Sequence, residues 1–268
     1  MNERRGPLGR LAPLLLLVLL AAALLVGPGM GRWRDGADAA RAGALREQVE
    51  ALAPGSLVIV GFDPDLVTYA EIRPAARALL EALREARLRI ATLSFSPEGR
   101  ALASAELAAK GIDALDIGFL PGGEAALVAA VRDVIPVSAS GPVADAARSA
   151  GGGLAAFDLA LVVGGGDIGP RTWVEQVRPR APELPIVALV PSFTRPELEP
   201  YLASGQLAGL VTGPDAVAAL SGTGAELDRR ADGLLVGLLV VIAVLLATGT
   251  WPHVARRRTV GAEPEATE

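Results

Sequence analysis

From Leu234 to Thr250 the chain carries no charged residue; Trp251 closes the run and Arg256-Arg257-Arg258 follow at once. A segment this apolar satisfies its backbone groups in lipid only as a helix, and aromatic and basic residues at its end suit the membrane interface. A second apolar run, Leu11 to Val26, extends through Gly27-Pro28-Gly29-Met30 and is preceded by Arg4, Arg5 and Arg10. These two runs dictate the plan. Everything that can fold in water lies between them. The expected organisation is a tail (1–10), a first transmembrane helix (11–30), a juxtamembrane helix (31–54), an α/β domain (55–221), a linker (222–232), a second transmembrane helix (233–251) and a tail (252–268).

The first run also reads as a cleaved signal peptide, since its arginines form a basic n-region; its length and the lack of a prompt A-x-A site favour an anchor. Neither run contains an ionisable residue, so a proton or ion pathway has nothing to be built from. Gly233 and Gly237 form a G-x-x-x-G pair that suits helix packing, and with it a homodimer or a membrane-protein partner. Because the first helix usually sets orientation and long loops cross regardless of charge, the three N-terminal arginines place both termini in the cytoplasm. The domain then lies outside the cell membrane.

Residue types narrow the chemistry. The chain has no cysteine, which removes disulfides, thiolate nucleophiles and Cys-based metal sites. Its one histidine, His253, lies beyond the second run, so the domain holds no Ser-His-Asp triad and no His-ligated metal. A net charge of −5 argues against nucleic acid as a partner. No cofactor is implied.

Between the runs, strand-like and helix-like segments alternate. Ala37 to Leu52 has helical spacing in Ala42, Leu45, Val49 and Leu52. Ser56–Val60, Arg89–Leu93, Asp116–Leu120, Leu159–Val163, Ile186–Val190 and Leu207–Val211 read as six strands, continuous in apolar residues as in a sheet buried on both faces. Helices are expected over Pro74–Arg87, from Pro97 to Lys110 with Ser96 as cap and Gly111 as stop, over Glu124–Val134, and through Trp173 and Val177. Two more follow, one opened by a Thr194/Glu197 capping box and a short one from Pro214. Residues 62–73 read as a long loop, and 134–156 as a flexible insertion with one helical turn near Ala144–Arg148. Strands separated by helices imply a parallel sheet, here a Rossmann-like or flavodoxin-like α/β fold of about six strands.

Such sheets bind ligands beyond the carboxyl ends of their strands. The candidates there are Asp63 and Asp65 after the first strand, Ser94 after the second, Glu124 after the third, and Gly166 and Asp167 after the fourth. Ser192 follows the fifth. Gly164 to Gly169 matches G-x-G-x-x-G between a strand and a helix, a pattern that can cradle phosphate, but it follows the fourth strand and no acidic residue ends the next one. Asp-Pro-Asp is also ordinary turn chemistry, with Asp65 capping a helix, and Glu124 suits a helix N-terminus structurally. Ser94 and Ser192 have no base to activate them.

Val60-Gly61-Phe62-Asp63-Pro64-Asp65 resembles the first motif of haloacid-dehalogenase-like phosphatases, which would make Asp63 a nucleophile and Asp65 an acid/base at a Mg²⁺ site. Leu66 and Arg171 depart from that pattern. More broadly, Asp116 to Leu127, Trp173 to Val177 and Gly205 to Val211 resemble bacterial membrane-anchored proteins of uncharacterised function. That resemblance implies a Rossmann-like domain between two membrane helices and no particular activity. Three functions are therefore open: a non-catalytic domain binding a partner or a small ligand, a metal-dependent phosphohydrolase using Asp63 and Asp65, and an accessory or substrate-binding subunit of a transporter.

Overall fold

The computed structural model describes residues 36–212 together with Val217 and Leu220. Both apolar end runs, the Gly233/Gly237 pair and the 222–232 linker lie outside the described residues, and the helix expected from Pro214 is described only at Val217 and Leu220. Among the described residues no helix is long and apolar enough to cross a membrane.

The apolar runs of the domain become six strands: β1 (Leu57–Phe62), β2 (Arg89–Ser94), β3 (Ala114–Phe119), β4 (Leu159–Val163), β5 (Ile186–Val190) and β6 (Gly209–Thr212). They form one parallel sheet in the order β3-β2-β1-β4-β5-β6. This is the doubly wound Rossmann order, which reverses direction between β1 and β4. The expected α/β parallel sheet is present, and β4 and β5 fall on the residues read as strands.

Alternation along each strand divides the core. Val58, Val60 and Phe62 of β1 and Leu159, Leu161 and Val163 of β4 face one side; Ile59, Ala160 and Val162 face the other. The first side packs against α1 (Gly36–Ala51), α2 (Leu66–Glu85) and α3 (Pro97–Lys110). The second packs against α4 (Gly123–Arg132), α5 (Pro142–Ser149), α6 (Pro170–Val177) and α7 (Arg195–Ala203). Right-handed crossovers explain the split, because winding one way from β1 and the other way from β4 puts α2 and α3 on one face and the later helices on the other. The first face of β4, β5 and β6 then needs a cover from outside the βαβ series. α1 supplies it through Leu45 and Val49, both fully buried. The helix read as juxtamembrane is thus part of the compact unit Asp35–Gly224.

Three expectations are corrected. Residues 66–73 are not loop: α2 begins at Leu66, and Pro74 lies inside it. The apolar spacing in fact starts at Tyr69 and continues through Ile72, Ala76, Leu79 and Leu83, all buried. Pro74 is on the exposed side, where the carbonyl it leaves unbonded meets water. Residues 134–156 are not a loose insertion. They form α5 and a 3₁₀ turn (Leu154–Ala156), and Val134, Ile135, Ala144, Ala147 and Leu154 enter the core. Small alanines let this short segment pack closely, which composition alone disguises as flexibility. Lastly, Thr194 precedes α7 but makes no side-chain cap bond, and Glu197 pairs with Arg171. Thr194 is already in helical backbone (φ −80°, ψ −18°), where its hydroxyl cannot reach the second or third amide.

Candidate functional site

Beyond the carboxyl ends of β1, β2 and β4, at the point where strand order reverses, a cleft of about 560 Å³ is lined by residues 63–67, Phe95, Ser96, Glu98, Gly123 and residues 166–168. Its floor is Asp63, only 9% exposed. The Asp63 backbone N–H continues the β4 ladder to Val163 O at 2.9 Å, while its carboxylate crosses to the β2–α3 loop. There Oδ1 accepts from Phe95 N–H at 2.8 Å, Ser96 N–H at 2.9 Å and Ser96 Oγ at 3.0 Å. Oδ2 accepts from Phe95 N–H at 3.0 Å. Burial pushes the Asp63 carboxyl up to about 6, against the opposing pull of the Phe95 and Ser96 donors.

Asp65 does something else. It is exposed and caps α2: Oδ1 accepts from Val67 N–H and Thr68 N–H, both at 3.1 Å, and Oδ2 from Thr68 Oγ1 at 2.6 Å. These bonds, led by the Thr68 hydroxyl, hold its carboxyl below the usual range. The two aspartates are therefore engaged by separate sets of donors, Asp63 by Phe95 and Ser96 and Asp65 by Val67 and Thr68. The described residues contain no cluster of three His, Cys, Asp or Glu able to hold a metal, where a Mg²⁺ site needs several converging oxygen ligands.

The glycine-rich turn also has a local explanation. Gly164 has φ +114°, and a Cβ there would lie 2.4 Å from Asp63 O. The turn is glycine because it must pass against the Asp63-Pro64 backbone. Gly166 O accepts from Gly169 N–H at 2.8 Å and Asp167 O from Thr172 Oγ1 at 2.9 Å, closing the turn onto α6. Gly99 meets the same constraint across the cleft: a Cβ would lie 2.2 Å from Phe62 O and 2.9 Å from Asp63 Oδ1.

Of the predicted site residues, Asp63, Asp65, Gly166 and Asp167 are brought together around the cleft. Ser94 lies beneath it, buried, with Oγ donating to Phe62 O at 2.8 Å. Glu124 does not join the lining; its carboxylate accepts from Gln176 and ties α4 to α6. Ser192 is held by Glu71, which accepts from its N–H at 2.8 Å and its Oγ at 2.6 Å, linking the β5 end to α2. Sequence reasoning missed Glu98, Phe95 and Ile168. Glu98 was legible in principle: as the second residue of α3 it had to sit at the same strand edge as Ser96.

Among the described residues the lining holds four carboxylates (Asp63, Asp65, Glu98 and Asp167), no lysine or arginine, and apolar surface from Leu66, Val67, Phe95 and Ile168. An anionic group would meet like charge here, whereas an uncharged or cationic group with an apolar body would not.

No family model and no curated protein matches this chain. Among solved structures, the crystal structure of AibC is similar over 77% of this chain, at 13% identity and a TM-score of 0.34. The match covers 50% of that chain, so this chain spans about half the length of that structure.

Proposed function

We propose that the chain is a membrane-tethered α/β domain outside the cell membrane that binds a partner or a small ligand in the cleft above Asp63 and catalyses no reaction there. The tether follows from the apolar runs 11–26 and 234–250, and the outward placement from Arg4, Arg5 and Arg10. The observation that carries the binding reading is the state of the cleft's polar groups. Asp63 is committed to Phe95 and Ser96, and Asp65 to the start of α2, so neither is poised for chemistry. What stays open is apolar surface ringed by carboxylates, at the position where doubly wound sheets take ligands.

The preferred ligand carries a positive or neutral polar group on an apolar body. Thermal denaturation of the purified full chain with benzylamine, spermidine, benzyl alcohol or benzyl phosphate tests this. The cationic or neutral aromatic probes should raise Tm, and Ile168→Arg should abolish the rise by filling the cleft and repelling the cationic probes. A rise with benzyl phosphate instead, or Mg²⁺-dependent phosphate release lost in Asp63→Asn, would overturn the reading. Placement has its own test: a cysteine at Val137, which is fully exposed, should react with an impermeant thiol reagent in intact cells, with no native cysteine to compete.

A further inference from the structure

Five large apolar side chains are exposed among the described residues: Leu66, Val67, Phe119, Val137 and Phe193. Four of them share one edge of the sheet. Leu66 (65% exposed) and Val67 (89%) open α2 beyond β1, Phe119 (37%) is the last residue of β3, and Phe193 (68%) follows β5. In the order β3-β2-β1-β4-β5-β6 these strands are two positions apart, so the side chains form a row roughly 20 Å long at a strand spacing near 4.8 Å. The Glu71–Ser192 bonds brace the segment that presents Phe193 against the helix that presents Val67.

The chain enters the domain at that same edge. α1 ends at Ala51, a short step before the amino end of β1. Gln48, near its end, donates to Ala208 O at 3.4 Å, just ahead of β6, whereas Arg41, earlier in the helix, pairs with Glu199 midway along α7 at 3.2 Å. α1 therefore runs antiparallel to the strands. Its 16 residues span about 24 Å, enough to carry its first residue, Gly36, to the carboxyl edge. Only five residues lie between Gly36 and Met30, the end of the first apolar run, and the six Cα-to-Cα steps reach at most about 20 Å.

We infer that the carboxyl edge of the sheet is a lipid-contact surface, lying against the bilayer to which the chain is tethered, with Leu66, Val67, Phe119 and Phe193 at the headgroup boundary. This rests on the tethered reading above. Apolar side chains at a bilayer surface gain burial that water denies them, and a short tether holds them there without a strong intrinsic affinity. The four carboxylates of the cleft would be repelled by an anionic surface, so the partner is zwitterionic lipid. It follows that the cleft opens towards the membrane and receives its occupant from the bilayer surface.

The test uses the full chain in phosphatidylcholine vesicles, with an environment-sensitive fluorophore on single cysteines and a quencher on the lipid acyl chains. The absence of native cysteine makes the labelling unambiguous. Val67→Cys and Phe193→Cys report on the carboxyl edge; Ala53→Cys and Glu183→Cys, both exposed next to strand amino ends, report on the opposite edge. Quenching at 67 and 193 at least about twofold greater than at 53 and 183 is expected, since surface-bound apolar groups reach only 5–10 Å into the boundary. A chain that floats with the vesicles yet shows equal quenching at all four positions overturns this inference and leaves the tether standing. A chain that does not float with the vesicles overturns both.

Discussion

Ser96 Oγ donates to Asp63 Oδ1 at 3.0 Å and accepts from Gly99 N–H at 3.0 Å, so one hydroxyl both anchors the buried carboxylate that follows β1 and caps α3. The floor of the cleft and the start of a core helix are therefore one hydrogen-bonded unit. Asp63 is the part of that unit that titrates closest to neutrality.

Burial raises the folded-state value of Asp63 from 3.8 to about 6, so the folded chain holds this proton more tightly than the unfolded chain. Its contribution is fully present below pH 3.8 and is lost as pH rises through about 6. The difference corresponds to about 3 kcal/mol. Denaturant titrations of the wild type and Asp63→Asn between pH 4 and 8 should show a wild-type decline across this window that the variant lacks. Parallel profiles for the two chains would contradict it.

Pro74 inside α2 costs a helical hydrogen bond, whereas at the first residue of a helix it would cost nothing. Pro74→Ala should therefore stabilise the chain by roughly 1–3 kcal/mol, read from the denaturation midpoint. No gain would mean that the helix begins at Pro74, with 66–73 as loop.

Thr194 Oγ1 is buried without a hydrogen-bond partner among the described residues. Thr194→Val keeps the shape and removes an unsatisfied hydroxyl, which should raise stability by about 1 kcal/mol. The capping-box reading of the same residue demands a loss of similar size, so thermal denaturation of this one variant separates the two.

At Gly164 a side chain meets both a left-handed backbone, φ +114°, and the Asp63 carbonyl 2.4 Å away. Gly164→Ala should destabilise by at least about 2 kcal/mol. Gly205 also has a positive φ (+73°) but no atom of the described residues within 4 Å of a Cβ, so Gly205→Ala, which bears only the backbone strain, should cost less. Equal losses would show that strain alone, and not the close pass over Asp63, makes Gly164 a glycine.

Much of this molecule was legible one residue after another. The limits of β4 and β5 follow from uninterrupted apolar runs, and α3 from Ser96, Pro97 and Gly111, because burial on both faces and helix caps are local demands. The absence of cysteine, and of histidine between the two apolar runs, already removed most nucleophilic and metal chemistry. The tertiary structure decided what local pattern cannot carry. Residues 134–156 look loose until Ala144 and Ala147 meet the sheet, and Asp63 and Asp65 look like a pair until each finds its own backbone donors. Strand order did the rest: reversal between β1 and β4 brought Asp167 to Asp63 and left one sheet face for α1 to cover. Partners distant in sequence, not residue type, set burial and hydrogen bonding, and these determine what a carboxylate can do.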